Sequence, residues 1–396
     1  MRFQQLIYGW WLWLLAAIFY ALDYFQHTAP SVLIAPIAQT THSTVYDVAS
    51  IMSIYFPIYA LSQLPAGYLL DHYSPRVVLA LACFGVSIGL YCMSLTTIPL
   101  LIMGRVLIAM GSAFAYLGAL KVASLSLPSS LFPLAVGLTN TIGVVGGVLG
   151  LPFLNYLITA QGWEQAINFI AIFGGCLVVF LLIFLRLPKI ISQHRKDTVY
   201  LHIFKDPRVW FLALYAGIMV GTVVNAFSEL YNVKFLQDSL GFSSQSAADI
   251  SGMIFIGIAV GGPMHGLIAK LFKHMRQWMM IGCLMTIFCF VLIILASWLK
   301  FSTEFMYILY FFIGFFVSSM LLSFTVAKAH YDEILYGSIF ALVNMVIGIC
   351  GFLFQFLLSH LLKDKLDYTQ SFLCLLLPLL LSLGCCWYAV RKRVHE

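Results

Sequence analysis

The chain has 396 residues, of which 62% are hydrophobic and only 9% charged, with a formal net charge of +6. A soluble domain carries about a quarter charged residues, so a water-soluble fold is excluded. Apolar runs long enough to cross a hydrocarbon core of about 30 Å as helices recur down the whole length, and stretches such as 166–187 and 277–299 lack the alternation of an outer-membrane barrel.

Taken in chain order against proline, glycine and charge punctuation, the first six spans lie near 8–36, 45–70, 76–95, 98–124, 132–159 and 164–187. The second six lie near 208–233, 246–269, 277–299, 304–328, 335–361 and 369–391. Met1–Gln5 leads straight into the first apolar run without a small-residue cleavage site, so that run reads as a retained helix and not as a cleaved signal. A polar stretch from Arg186 to Arg208 follows the sixth span and divides the chain into an N-terminal half at 1–187, a cytoplasmic linker at 188–207 and a C-terminal half at 208–396.

The halves show weak internal similarity: 137–147 can be laid on 341–351, with Asn140 over Asn344 and Gly147 over Gly351. Repeated halves are the building plan of alternating-access carriers. Basic residues gather on one side, at Arg2, Arg76, the Arg186–Arg208 stretch, Lys270, Lys273, Arg276 and Arg391–Arg393, against Lys234, Lys300, Lys363 and Lys365 on the other. Cytoplasmic loops are enriched in Lys and Arg, so both termini are expected in the cytoplasm. The positive charge is largely this bias and calls for no nucleic-acid partner. All nine cysteines fall inside spans, where a thiol behaves as a small apolar group, and neither a disulfide framework, a metal site nor a cofactor is expected.

Ionisable side chains at membrane depth cost about 2.5–3.5 kcal/mol each on insertion scales and are functional candidates for that reason. Here they are Asp23, His27, Arg105, Lys121, Glu229 and Lys328. Asp23 and His27 stand four apart on the first span, so they share a face and can share a proton or a substrate. Asn225 and Glu229 repeat the spacing on the seventh. A proton is the expected coupling ion, carried by Glu229 or Asp23, with His27 either tuning it or serving as a structural histidine.

Arg105 lies on the fourth span with Ser112 and Tyr116 near its stripe. Its guanidinium either grips a carboxylate or phosphate on the substrate or neutralises Asp23 or Glu229 within the bundle. Lys121, about 24 Å farther along that helix, and Lys328, which closes the tenth span, either face inward or snorkel to the interface. Pro30, Pro36, Pro57, Pro65 and Pro152 mark bends. The aromatic residues of 54–62 form either a wall for an organic solute or a packing surface.

The stretch Gly67-Tyr-Leu-Leu-Asp71-His72-Tyr-Ser74-Pro-Arg76 resembles the G-x-x-x-D-R-x-G-R-R signature of the major facilitator superfamily, with His72 and Ser74 departing from it. Gly104-Arg105 to Gly111, the glycines at 143, 146, 147 and 150 with Pro152, and Gly162-Trp163 are similar to other elements of that family in the same order. The resemblance covers essentially the whole chain. It implies an all-α integral membrane fold of twelve transmembrane helices in two pseudo-symmetric six-helix halves, a cavity lined by the first, fourth, seventh and tenth spans, and a monomer. It also implies a gating role for Gly67, Asp71 and Arg76, with Asp71 facing the amino end of a helix from the other half. The equivalent second-half stretch ends in Lys270, the wrong sign for that role.

The function expected is secondary, proton-coupled symport of a small polar or anionic organic solute, such as an amino acid, a short peptide or a carboxylate. The membrane expected is a bacterial inner membrane. The substrate and coupling residues are then Asp23, His27, Arg105, Asn225, Glu229 and Lys328. Export of drugs or metabolites is the alternative within the class. A membrane enzyme would need a nucleophile with its base, or a metal cluster, at one membrane face, and a receptor would need a longer signalling loop or tail. No nucleotide-binding loop points to ATP-driven pumping.

Overall fold

The structure is a computed structural model and describes residues 3–187, 203–271, 275–299, 301–363 and 367–389. Among them there is no strand, and twelve helices are long and apolar enough to cross a membrane. The first six are α1 (Phe3–Thr28), α2 (Val45–His72), α3 (Pro75–Ser94), α4 (Ile98–Ser126), α5 (Phe132–Gln161) and α6 (Trp163–Phe184). The second six are α7 (Pro207–Asp238), α8 (Ser244–Ala269), α9 (Gln277–Ala296), α10 (Thr303–His330), α11 (Glu333–Leu362) and α12 (Tyr368–Ala389). The protein is a multi-pass membrane protein.

The first span departs most from its expected bounds. A single helix was expected over 8–36, but α1 ends at Thr28 and a separate short helix runs from Pro30 to Thr40. Proline has no N–H to continue the ladder and is favoured in a first helical turn, so the chain restarts there.

The chain divides into two compact units. One comprises Met1–Ser129, Thr139–Arg195 and Asp332–Ala341; the other comprises Ser130–Leu138, Lys196–Tyr331 and Leu342–Glu396. Each unit therefore contains six spans, less the opening turns of one of them, together with the opening turns of a helix from the other half of the sequence. In the first unit α3 packs along α4 and α6, and α1 along α4. In the second, α9 packs along α10 and α12, α8 along α10, and α7 along α12. Small residues let the backbones touch: a methyl group at Gly104 on α4 would come within 2.5 Å of the Gly89 carbonyl oxygen on α3. The second unit closes its core with aromatic rings, Phe227 lying 5.4 Å from Phe290 and 5.1 Å from Phe372.

Four spans are irregular away from any helix end. α2 is two pieces meeting at Ile54, α4 breaks at Ala113–Phe114, α7 is π-helical over Gly221–Tyr231, and α10 tightens to a 3-10 turn over Ser318–Leu321. Side-chain hydroxyls compete for the backbone at two of these places. Thr222 donates to the Ile218 carbonyl at 2.6 Å, and Ser318 donates to the Phe315 carbonyl at 2.6 Å. That carbonyl also lies 2.8 Å from Nε2 of buried His265, whose Nδ1 accepts from the Trp278 indole at 2.8 Å.

Candidate functional site

In the first unit the candidates gather around Tyr55. Asp23 is 1% exposed and accepts a hydrogen bond from the Tyr55 hydroxyl at 2.9 Å. The His27 ring meets Tyr55 edge-on at 4.6 Å and Tyr59 at 5.6 Å, and the two tyrosines stack at 5.5 Å. Asp23 and His27 are not hydrogen-bonded to each other; each is fixed by Tyr55. The aromatic run at 54–62 therefore lies against the candidate charges.

Arg105 is 2% exposed, and its guanidinium carbon sits 4.9 Å from the centroid of the Tyr55 ring. Nε and Nη2 donate to the Met52 carbonyl at 3.3 and 3.0 Å. The break at Ile54 makes this possible, because the last carbonyls of a helical piece have no partner within it. Among the described residues Arg105 forms no ion pair with Asp23, and the structure holds the guanidinium buried on one backbone carbonyl and one ring. Ser112, one of the residues expected near its stripe, is fully buried beside Asp23.

A second cluster of the first unit lies at the other end of α2. Asp71 accepts from the backbone N–H groups of Gly337 and Ser338, both at 2.7 Å, at the opening turn of α11. The partial positive charge of that helix end favours the carboxylate. Lys121 from α4 donates to Asp71 at 2.7 Å and to the Glu333 carbonyl at 3.0 Å. Gly67 allows the approach, since a methyl group there would lie 2.6 Å from the Gly337 carbonyl oxygen. Lys121 does not snorkel, because it is 1% exposed and its charge is used inside the protein. The structure does not bring Arg76 to this cluster. It lies half-buried in the first turn of α3, and the cation at Asp71 is Lys121.

In the second unit Asn225 donates to Glu229 at 3.0 Å, and Gln355 donates to the Asn225 carbonyl at 3.1 Å. Glu229 lies on the accessible surface, unlike Asp23. Lys328 is 7% exposed, with its ammonium 4.3 Å from the centre of the Phe132 ring, so it too faces protein and not the interface.

Of the basic residues behind the expected orientation, Arg2, Lys189, Arg195, Lys196, Lys273, Lys300, Lys365 and Arg391–Arg393 lie outside the described residues, as do the side chains of Lys270, Arg276 and Lys363. The linker is outside them up to residue 202. The letters G-x-S-x-G do occur, at Gly85-Val-Ser87-Ile-Gly89, but in the middle of α3, where Ser87 donates to the Cys83 carbonyl at 2.9 Å. A nucleophile elbow needs a sharp strand-to-helix turn, which a continuous helix does not provide. Among the described residues no group of His, Cys, Asp and Glu is placed to hold a metal.

Reasoning from charge also passes over two neutral groups. Gln63 on α2 is 0% exposed, and Gln26 on α1 is 1% exposed. Both amide atoms of Gln63 and the Gln26 nitrogen have no hydrogen-bond partner. An amide side chain within a predominantly apolar span was the signal that could have marked them.

The sequence profile of the Major Facilitator Superfamily matches residues 14–355. An uncharacterised transporter of Bacillus subtilis, YybO, is 33% identical over 171 residues, 41% of this chain and 37% of that protein. The chain thus matches little more than a third of that relative's length. The Escherichia coli fucose:proton symporter FucP has a similar fold, with a TM-score of 0.73 at 14% identity over 97% of this chain and 100% of that one. The proton:xylose symporter XylE has a TM-score of 0.72 at 13% identity, over 97% and 96%. The chain belongs to the Major Facilitator Superfamily.

Proposed function

We propose that this protein is a proton-coupled secondary transporter of small organic anions, working by alternating access between its two repeat halves. The observation that carries the reading is Arg105. A guanidinium has five donors in a fixed fork suited to carboxylates, yet here it is buried on a single carbonyl and the face of Tyr55. Burying a charge without a counter-charge is costly, and an arriving carboxylate would supply that charge bidentately. Asp23, buried at hydrogen-bond distance from the same Tyr55, is the foremost proton carrier, with Glu229 as a second carboxylate. Protonation of Asp23 removes a like charge from the neighbourhood of the entering anion, which links the two fluxes. FucP and XylE are named as proton symporters, which supports the choice of ion.

The Asp71 cluster serves as a latch on the opening turn of α11 that is broken and remade during the cycle. The positive-inside bias supports cytoplasmic termini, and the short loops fit a bacterial inner membrane. A buried guanidinium is a poor lining for cationic drugs, so uptake or exchange of anions is favoured over drug export.

The test is exchange of labelled carboxylates by the purified protein in liposomes, comparing wild type with Arg105→Lys. Lysine keeps the charge but loses the fork, so exchange is expected to fall at least about tenfold, a change worth about 1.4 kcal/mol. Undiminished exchange in the variant would remove Arg105 from substrate binding.

A further inference from the structure

We propose that Gln63, with Gln26 and Ser112, forms a hydroxyl-recognising subsite, and that the transported anion is a hydroxylated carboxylate of sugar-acid type. The inference rests on the anion reading above and adds the chemistry of the rest of the solute.

Two elements of the first unit each contribute a buried amide with an unpaired polar atom, Gln63 from α2 and Gln26 from α1, and α4 contributes the buried hydroxyl of Ser112. Gln26 is three residues from Asp23, and Ser112 lies beside Asp23. A buried polar group left unsatisfied is destabilising, and replacement by an apolar residue of similar shape is usually neutral or better. Retention of two such amides, one of them three residues from Asp23, fits a ligand that pairs them. Their chemistry is specific: an amide offers a donor and an acceptor side by side, and a serine hydroxyl offers both on one atom. An alcohol is likewise both donor and acceptor, whereas an alkyl chain is neither and a carboxylate only accepts.

Position agrees with chemistry. Tyr55, Tyr59, Gln63, Gly67 and Asp71 succeed one another at four-residue intervals along α2, a row that winds slowly round the helix. The Tyr55 ring carries the guanidinium, and Gln63 lies eight residues on, about 12 Å along the axis at 1.5 Å per residue. With a hydrogen bond of about 2.9 Å at each end, that rise matches the length of a chain of four to six carbons. The anion then sits with its carboxylate on Arg105 and its far hydroxyls on Gln63, one turn of helix before the latch residue contact at Gly67.

The test uses full-length protein in liposomes and two matched probes, labelled glucarate and labelled adipate, with gluconate as a third. Glucarate and adipate share chain length and both carboxylates and differ only in the hydroxyls. Wild type is expected to exchange glucarate or gluconate at least about tenfold faster than adipate, since a site built to bind hydroxyls discriminates strongly against analogues lacking them. In Gln63→Leu that ratio is expected to shrink by about tenfold or more, with a melting temperature equal to or above that of wild type. A wild type that moves adipate as fast as the hydroxylated anions overturns the subsite and leaves the anion reading standing, as does an unchanged ratio in the variant. Flux of none of the three overturns both. If Gln63→Leu does not fold, Gln63→Met and the wild-type ratio decide the matter.

Discussion

At the end of α2, Gly67 lets the opening turn of α11 come close, and Asp71 caps that turn through two backbone N–H groups. At the end of α8, Gly266 meets the opening turn of α5 in the same way, a methyl group there lying 2.5 Å from the Pro133 carbonyl oxygen. A lysine from the adjoining span stands over the ring at the head of each turn: Lys121 at 5.8 Å from the centre of Tyr336, and Lys328 at 4.3 Å from that of Phe132. The acid is not repeated, since the residue in the place of Asp71 is Lys270. Packing at these two places has been kept while electrostatics has diverged. The first joins an acid, a lysine and a helix end, the second has a lysine without an acid at the matching place, and the two should respond differently to mutation.

The largest effect is expected from Asp71→Asn. It strands the Lys121 charge in a buried position and weakens two charge-assisted hydrogen bonds, so the state described here should lose about 3–5 kcal/mol. Thermal melting in detergent measures this, and a double-mutant cycle with Lys121→Met should show coupling of about 0.5–3 kcal/mol. Melting unchanged by Asp71→Asn would mean that the latch bears no weight. Gly67→Ala and Gly266→Ala test the part held in common. Each adds a methyl group against backbone, at a cost of about 1–3 kcal/mol, and similar losses are expected for the pair. A loss at Gly67 alone would end the parallel. Lys328→Met removes the contact with Phe132, which alone should cost about 0.5–2 kcal/mol by the same melting measurement.

The contrast also shows what sequence could and could not supply. Hydropathy located the twelve spans, because the length of an apolar run is fixed by bilayer thickness and needs no knowledge of neighbours. It did not locate the breaks at Ile54, at Ala113–Phe114 and at Ser318–Leu321, or the π-helical segment of α7. In α7 and at Ser318–Leu321 they go with a hydroxyl or imidazole that finds a backbone carbonyl in three dimensions, whereas the break at Ile54 falls one turn before Pro57, one of the prolines expected to mark a bend. Asp23 and Arg105 were visible as charges in an apolar run and Tyr55 as part of the aromatic run at 54–62, but nothing local marked it as the partner the two charges share. Lys121 was visible, but its partners come from 50 and 212 residues away, so nothing local separated a snorkelling lysine from a latch. Gln63 carries no charge and escaped a search for charges; burial with both amide atoms unpaired is a property of the fold alone.

The central claim, proton-coupled transport of an organic anion through the Asp23–Tyr55–Arg105 cluster, is tested most directly by uptake of labelled carboxylates into liposomes with and without an imposed pH gradient. Wild type should accumulate the anion along the gradient. Asp23→Asn should abolish accumulation while sparing exchange, and Glu229→Gln should reduce accumulation less. Equilibration that ignores the gradient in wild type, or accumulation undiminished in Asp23→Asn, would contradict the claim.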